Sequence, residues 1–182
     1  MIRFITTFGF SGLLPKAPGT WGSLAALPFV WLMVWFDLTL IHYLAIVLAL
    51  FLIGWWAVAV YTRDMDDPDL SEIVVDEVIG MWIACGFYFV SWAPILPFLG
   101  VDMETWATNP ERDLITGQSA VVYLAAFGLF RFFDIKKPWL VGWADRLHTP
   151  LGVMLDDLIA GIFTLMSLVL FLSAILFVVH LL

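Results

Sequence analysis

The sequence predicts an all-α protein, a polytopic membrane helix bundle of about five membrane segments forming one domain over residues 1–182. Three observations carry this. Hydrophobic residues make up 63% of the chain, well above the roughly 45–50% of soluble domains, and mean hydropathy is +0.99. The apolar residues fall into long runs. The acids gather between the runs: eleven of the sixteen carboxylates lie in Arg63–Glu77 and Arg131–Asp157.

The segments follow in order. Leu24–Phe36 is short and bounded by Ser23 and Asp37. Leu40–Val60 is 21 residues without a full charge, close to the roughly 20 that a bilayer requires. Val78–Leu99 is long enough but carries Pro94 and Pro97, which should kink or end it. Ser119–Phe130 is short, and Leu158–Leu182 is long and almost wholly apolar. The first and fourth segments must recruit flanking residues, tilt, or re-enter. Met1–Trp21 has no charged head followed by an apolar core, so no cleaved signal peptide is expected.

Five crossings would place Met1–Ser23, Tyr61–Glu77 and Arg131–Asp157 on one face. Seven of the eight basic residues then share it, Arg112 being the exception. By the positive-inside rule that face is cytoplasmic. Every conspicuous polar motif arrives on the same face, and Gly100–Gln118 faces the other side without a catalytic pattern.

Composition also excludes. A net charge of −8 argues against nucleic acid, which requires a basic surface. The single cysteine, Cys85, rules out an internal disulfide and a cysteine-ligated zinc; it reads as a small buried hydrophobe.

Four constellations carry candidate chemistry, because acids beside a bilayer are costly unless they hold something positive. In Leu14–Ser23, two prolines and two glycines shape a turn. Thr20 and Ser23 offer capping hydroxyls, and Lys16 offers a point charge for phosphate; the bland reading is a capped helix entry. In Ser71–Gly80, helical spacing would set Glu72 and Asp76 one turn apart on one face, where like charges repel by a few tenths of a kcal/mol unless a cation bridges them. Glu77 is rotated away as a candidate base. The preceding Asp64–Asp69 lacks a calcium-loop pattern and reads as a solvated turn.

In Phe130–Trp139, Arg131, Lys136 and Lys137 would clamp a phosphate or hold anionic lipid headgroups, readings that are not exclusive. Asp134 would ligate a metal or orient one of those three cations. In Gly152–Gly161, Asp156 and Asp157 stand at the mouth of a span. Gly80 and Ala160-Gly161 each lie about one turn past the acids, so the two helices are expected to pack through small residues. That would converge Glu72, Asp76, Asp156 and Asp157 as metal ligands. Oxygen-only donors suit Mg²⁺.

In these four stretches the chain resembles the phosphatidylglycerophosphatase A family. The matching residues are Pro15–Ser23, Glu72–Gly80, Phe130–Trp139 and Gly152–Gly161, in the family's order and across most of the chain. The resemblance implies a Mg²⁺-dependent lipid phosphatase of the bacterial cytoplasmic membrane, converting phosphatidylglycerophosphate to phosphatidylglycerol. Charge and spacing then suggest roles: Glu72, Asp76, Asp156 and Asp157 for the metal, with Asp76 also catalytic beside Glu77 and Asp134. Lys16, Thr20, Ser23, Arg131, Lys136 and Lys137 would meet the phosphate. No Asp-x-Asp-x-Thr or Cys-x5-Arg nucleophile is present, which favours direct attack by water. The rival from another class is a small cation transporter or channel. That rival would place ionisable groups near the bilayer midplane, whereas here they stand at segment ends.

Overall fold

The computed structural model describes residues 1–89 and 120–181, and among them every regular element is helical. A short α1 (Ile2–Thr6) and a 3-10 turn (Ser11–Leu13) lead into α2 (Pro18–Trp35). Next come α3 (Leu40–Tyr61) and α4 (Val75–Ala84), the latter continued by a 3-10 turn at Cys85–Tyr88. The chain resumes with α5 (Ala120–Lys136), α6 (Leu140–Asp145) and α7 (Pro150–Leu181). The end of the third predicted segment and the Gly100–Gln118 loop lie outside the described residues.

Among the described residues two helices, α3 and Pro150–Ile175 of α7, are long and apolar enough to cross a membrane. Only 28% of each apolar window is buried within the protein, unlike the core helix of a soluble domain. Leu44, Leu48 and Leu52 on α3, and Met166 and Leu170 on α7, point outward. The short segments grow by recruiting their flanks. Proline suits a first helical turn because its missing N–H has no partner there anyway, and α2 starts at Pro18 rather than Leu24. Likewise α5 runs on through Arg131 and Asp134 to Lys136, so that basic motif is helical as far as Lys136, with Lys137 in the turn beyond it.

The amphipathic α4 is the centre of the bundle, with Val75, Val78, Ile79, Met81 and Trp82 all buried. In lipid the apolar effect does not draw helices together, so close backbone approach must. A Cβ on Gly161 would overlap the Gly80 carbonyl, and one on Gly80 would sit 2.5 Å from both the Asp157 carbonyl and the Phe130 ring. Thus α4 and α7 do meet through their small residues. Trp82 anchors the other side of α4, its indole donating to the Ala26 carbonyl on α2 at 3.1 Å.

Three expectations of local structure are corrected. Glu72 lies in the turn before α4, so it shares no helical face with Asp76. The helix starts late because the Val74 amide donates to the Thr6 carbonyl of α1 at 2.9 Å. Asp156 and Asp157 do not open α7 but sit two turns inside it, after a start at Pro150. Finally, neither Thr20 nor Ser23 caps α2. Ala17, in a left-handed conformation, is the N-cap, and the buried Ser23 hydroxyl donates back to the Gly19 carbonyl at 2.8 Å.

Candidate metal and phosphate site

The N-terminal ends of α2, α4 and α7 meet the C-terminal end of α5 at one end of the bundle. Asp76 and Glu77 stand in the first turn of α4, and Asp157 faces them from α7. One oxygen from each of these three carboxylates lies within 4.8 Å of the others. Asp76 and Asp157 are buried, and Glu77 is half-buried. Burial first, and then the neighbouring Glu77 charge, push the Asp76 carboxyl well above its ordinary range. Burial, followed by the Asp157 charge, raises Glu77 to about 8.

Two of these acid oxygens, Glu77 Oε2 and Asp157 Oδ1, are fully enclosed without a hydrogen-bond partner among the described residues. Each such orphan costs about 1–3 kcal/mol, and more if charged. An all-carboxylate donor set, its three groups within 4.8 Å of one another and two of its oxygens unpaired, fits a hard divalent cation, which removes that cost and binds oxygen ligands by preference.

The cations sit around this cluster. Arg131 Nη1 lies 2.5 Å from Asp134 Oδ2 one turn along α5, yet among the described residues it has no partner in hydrogen-bonding geometry. Arg131 also approaches the start of α2: a Cβ on Gly19 would sit 3.1 Å from Arg131 Nη1. Lys137 Nζ donates to Asp156 Oδ2 at 3.0 Å and also to Asp145. Although burial pulls the Lys137 ammonium down, those two acids outweigh it and hold the group above its ordinary value.

Other predicted residues are placed elsewhere. Glu72 accepts from Arg3 Nη2 at 3.1 Å and from the Tyr61 hydroxyl; the Tyr61 bond is the main reason its carboxyl lies below the usual range. It is outside the Asp76–Glu77–Asp157 group. Asp156 is adjacent to that group but paired with Lys137. Lys16 and Lys136 are exposed, and Thr20 is half-buried in the first turn of α2. Ser23, committed to Gly19, has no free hydroxyl proton for an anion.

Sequence reasoning assigned no role to Asp145 or to Gly19. Asp145 carried no signal, because its pairing depends on how α6 folds back. Gly19 stood in a noted motif, but its neighbour in space is 58 positions away in sequence.

Fold and site together define a helical membrane protein with a buried carboxylate cluster suited to a divalent cation and a flanking arginine suited to phosphate. The sequence model of phosphatidylglycerophosphatase A matches residues 4–172, and the chain belongs to that family. It is 35% identical to the phosphatidylglycerophosphatase A of Escherichia coli over 84% of this chain and 72% of that protein. It is 34% identical to the enzyme of the same name from Haemophilus influenzae, over 84% of this chain and 77% of that one. A Bacteroides thetaiotaomicron protein with the printed name "Putative phosphatidylinositol-3-phosphatase" is 34% identical over 87% of this chain and 85% of its own length. No solved structure matches. Family membership makes the chain a phosphatase and sets aside the transporter alternative.

Proposed function

We propose that this protein hydrolyses the terminal phosphomonoester of phosphatidylglycerophosphate, giving phosphatidylglycerol and phosphate, with Mg²⁺ held by Asp76, Glu77 and Asp157. The observation that carries the reading is the convergence of those three acids beside Arg131, in a chain of this family. The five-segment arrangement would leave this end of the bundle at the cytoplasmic surface of a bacterial inner membrane, where the seven basic residues of that face would meet an anionic lipid.

Mg²⁺, when bound, would supply Lewis-acid stabilisation of phosphate oxygens and lower the pKa of a nearby water. The protein's own groups do the rest. Arg131, whose Nη1 lacks a hydrogen-bonding partner among the described residues, would donate to a phosphate oxygen and offset charge that grows in the transition state. The exposed Lys16 and Lys136 would draw the headgroup in, and Thr20 would donate from the first turn of α2. Glu77 would serve as the base as well as a ligand: it is the one of the three acids that is not fully buried, and a base must reach the proton it takes. Water attacks phosphorus as the ester P–O bond breaks; Glu77 takes the water proton and returns it to the departing alkoxide oxygen, so that phosphate and the lipid alcohol leave. Asp134 holds Arg131 in place through their ion pair.

The relative named for phosphatidylinositol 3-phosphate defines the competing substrate. Purified protein in mixed micelles should release phosphate from phosphatidylglycerophosphate faster than from phosphatidylinositol 3-phosphate, phosphatidic acid or a soluble phosphomonoester, and only with a divalent cation present. Undiminished release after chelation would overturn the metal reading. A higher kcat/KM on the inositol lipid would overturn the substrate.

A further inference from the structure

We infer that Gly19 is a positioning residue: its missing side chain is the notch that seats the Glu77 carboxylate against the start of α2. The inference rests on the reading of Glu77 as part of the site. A Cβ at Gly19 would overlap Glu77 Oε1, with Glu77 Cδ at 3.2 Å and Arg131 Nη1 at 3.1 Å. The other Glu77 oxygen, Oε2, is enclosed and unpartnered. One oxygen of this carboxylate is therefore seated against Gly19, the other is enclosed, and the carboxylate as a whole belongs to one acid group with Asp76 and Asp157.

The surroundings make the notch rigid. The next glycine along this face of α2, Gly22, packs against Val74, where a Cβ would come within 2.6 Å of the Val74 Cβ. Before the helix, a Cβ at Gly12 would overlap the Glu72 carbonyl. The segment Glu72–Glu77 thus lies along a glycine-bearing edge from Gly12 to Gly22, and neither element has room to back away. At Gly19 alone the atom met is a carboxylate oxygen. Local helix preference cannot explain a glycine there, because alanine is the better residue inside a helix. Its value lies in what it leaves empty.

Alanine at this position would push the carboxylate aside by a fraction of an ångström to about one ångström, enough to cost up to roughly 100-fold in rate where geometry governs the reaction. Gly19→Ala should therefore lower kcat by about tenfold to 100-fold with KM for the lipid little changed, and should weaken Mn²⁺ binding measured by calorimetry on the metal-free protein. Glu77→Asp, one methylene shorter, withdraws the carboxylate from the notch. In that background the same glycine substitution should cost little further activity or Mn²⁺ affinity, because residues that act through one contact are not additive.

Gly128→Ala serves as the control, since a Cβ there meets nothing within 4 Å among the described residues; it should match the parent protein in kcat and Mn²⁺ affinity. The notch is overturned if Gly19→Ala keeps parental kcat and Mn²⁺ affinity. It is equally overturned if the loss is as large in the Glu77→Asp background, which would mean the alanine collides with something else. Near-parental activity in Glu77→Gln would instead remove the underlying role of Glu77, a result distinct from either.

Discussion

Lys137 Nζ lies 3.0 Å from Asp156 Oδ2, joining the turn after α5 to the second turn of α7. The same ammonium binds Asp145 at the end of α6, so a single cation ties three elements together beside the acid group. The backbone is built for it. Lys137 itself takes a positive φ of 45°, and a Cβ on Gly142 would sit 2.5 Å from the Lys137 carbonyl. This pairing gives Lys137 a structural part where a phosphate contact was expected from the sequence.

Lys137→Ala should accordingly act on stability. Removing one partner of a buried pair costs 3–5 kcal/mol; here the lysine side chain is 31% exposed and Asp156 11%, so solvent screening reduces the expected loss to about 1–3 kcal/mol. The added substitution Asp156→Asn should recover part of it, measured by thermal unfolding in micelles. A phosphate ligand would behave differently: Lys137→Ala would raise KM and leave the melting temperature in place. Lys136→Ala, at an exposed position without a pairing acid among the described residues, should leave stability close to the parent's.

Asp157→Asn should abolish both activity and the stabilisation that Mg²⁺ confers. Outer-shell partners of a metal are already worth 10–100-fold in affinity, so loss of a direct ligand should exceed roughly 100-fold. The check is a melting curve with and without Mg²⁺. The parent should gain stability as [Mg²⁺] rises past its dissociation constant, while the variant should show no Mg²⁺-dependent shift. A parental shift in the variant would exclude Asp157 from the site.

Glu72→Gln should leave catalysis near the parental level, a result that separates the two ends of the Glu72–Glu77 motif. The sequence displayed this motif as one acidic run, and the grouping of acids at one end of the bundle was legible from topology and charge alone. Which acids face each other was not. That depends on the helix beginning at Val75, and the beginning is set by the Val74 amide reaching Thr6 on a helix near the start of the chain. Periodicity within the motif carries no trace of that contact. The short apolar runs misled for a similar reason, since hydropathy stops at the first polar residue. Helices α2 and α5 continue through theirs, because Thr20, Ser23, Arg131 and Asp134 either bond locally or face the site. The loss of Mg²⁺-dependent activity in Glu72→Gln, with folding intact, would return Glu72 to the metal.

The pH dependence of the metal-free protein follows from the raised acids. Glu77 titrates near 4.3 in an unfolded chain and at about 8 when folded, chiefly through burial and then through Asp157. The folded state therefore binds the extra proton, and stability falls as pH rises from the unfolded value toward 8, the penalty being complete above it. Asp76, shifted in the same direction, adds to the slope. Melting temperature in chelator should consequently be higher at pH 6 than at pH 8.5. Mg²⁺ should reverse the preference, because the cation takes the protons' place: its affinity should climb with pH through this range, with proton release visible in calorimetry as a dependence of the binding heat on buffer. Replacing Glu77 by Gln should flatten the stability profile in chelator. A metal-free protein equally stable at both pH values would mean that the three acids are not held together in the way their oxygens are placed here.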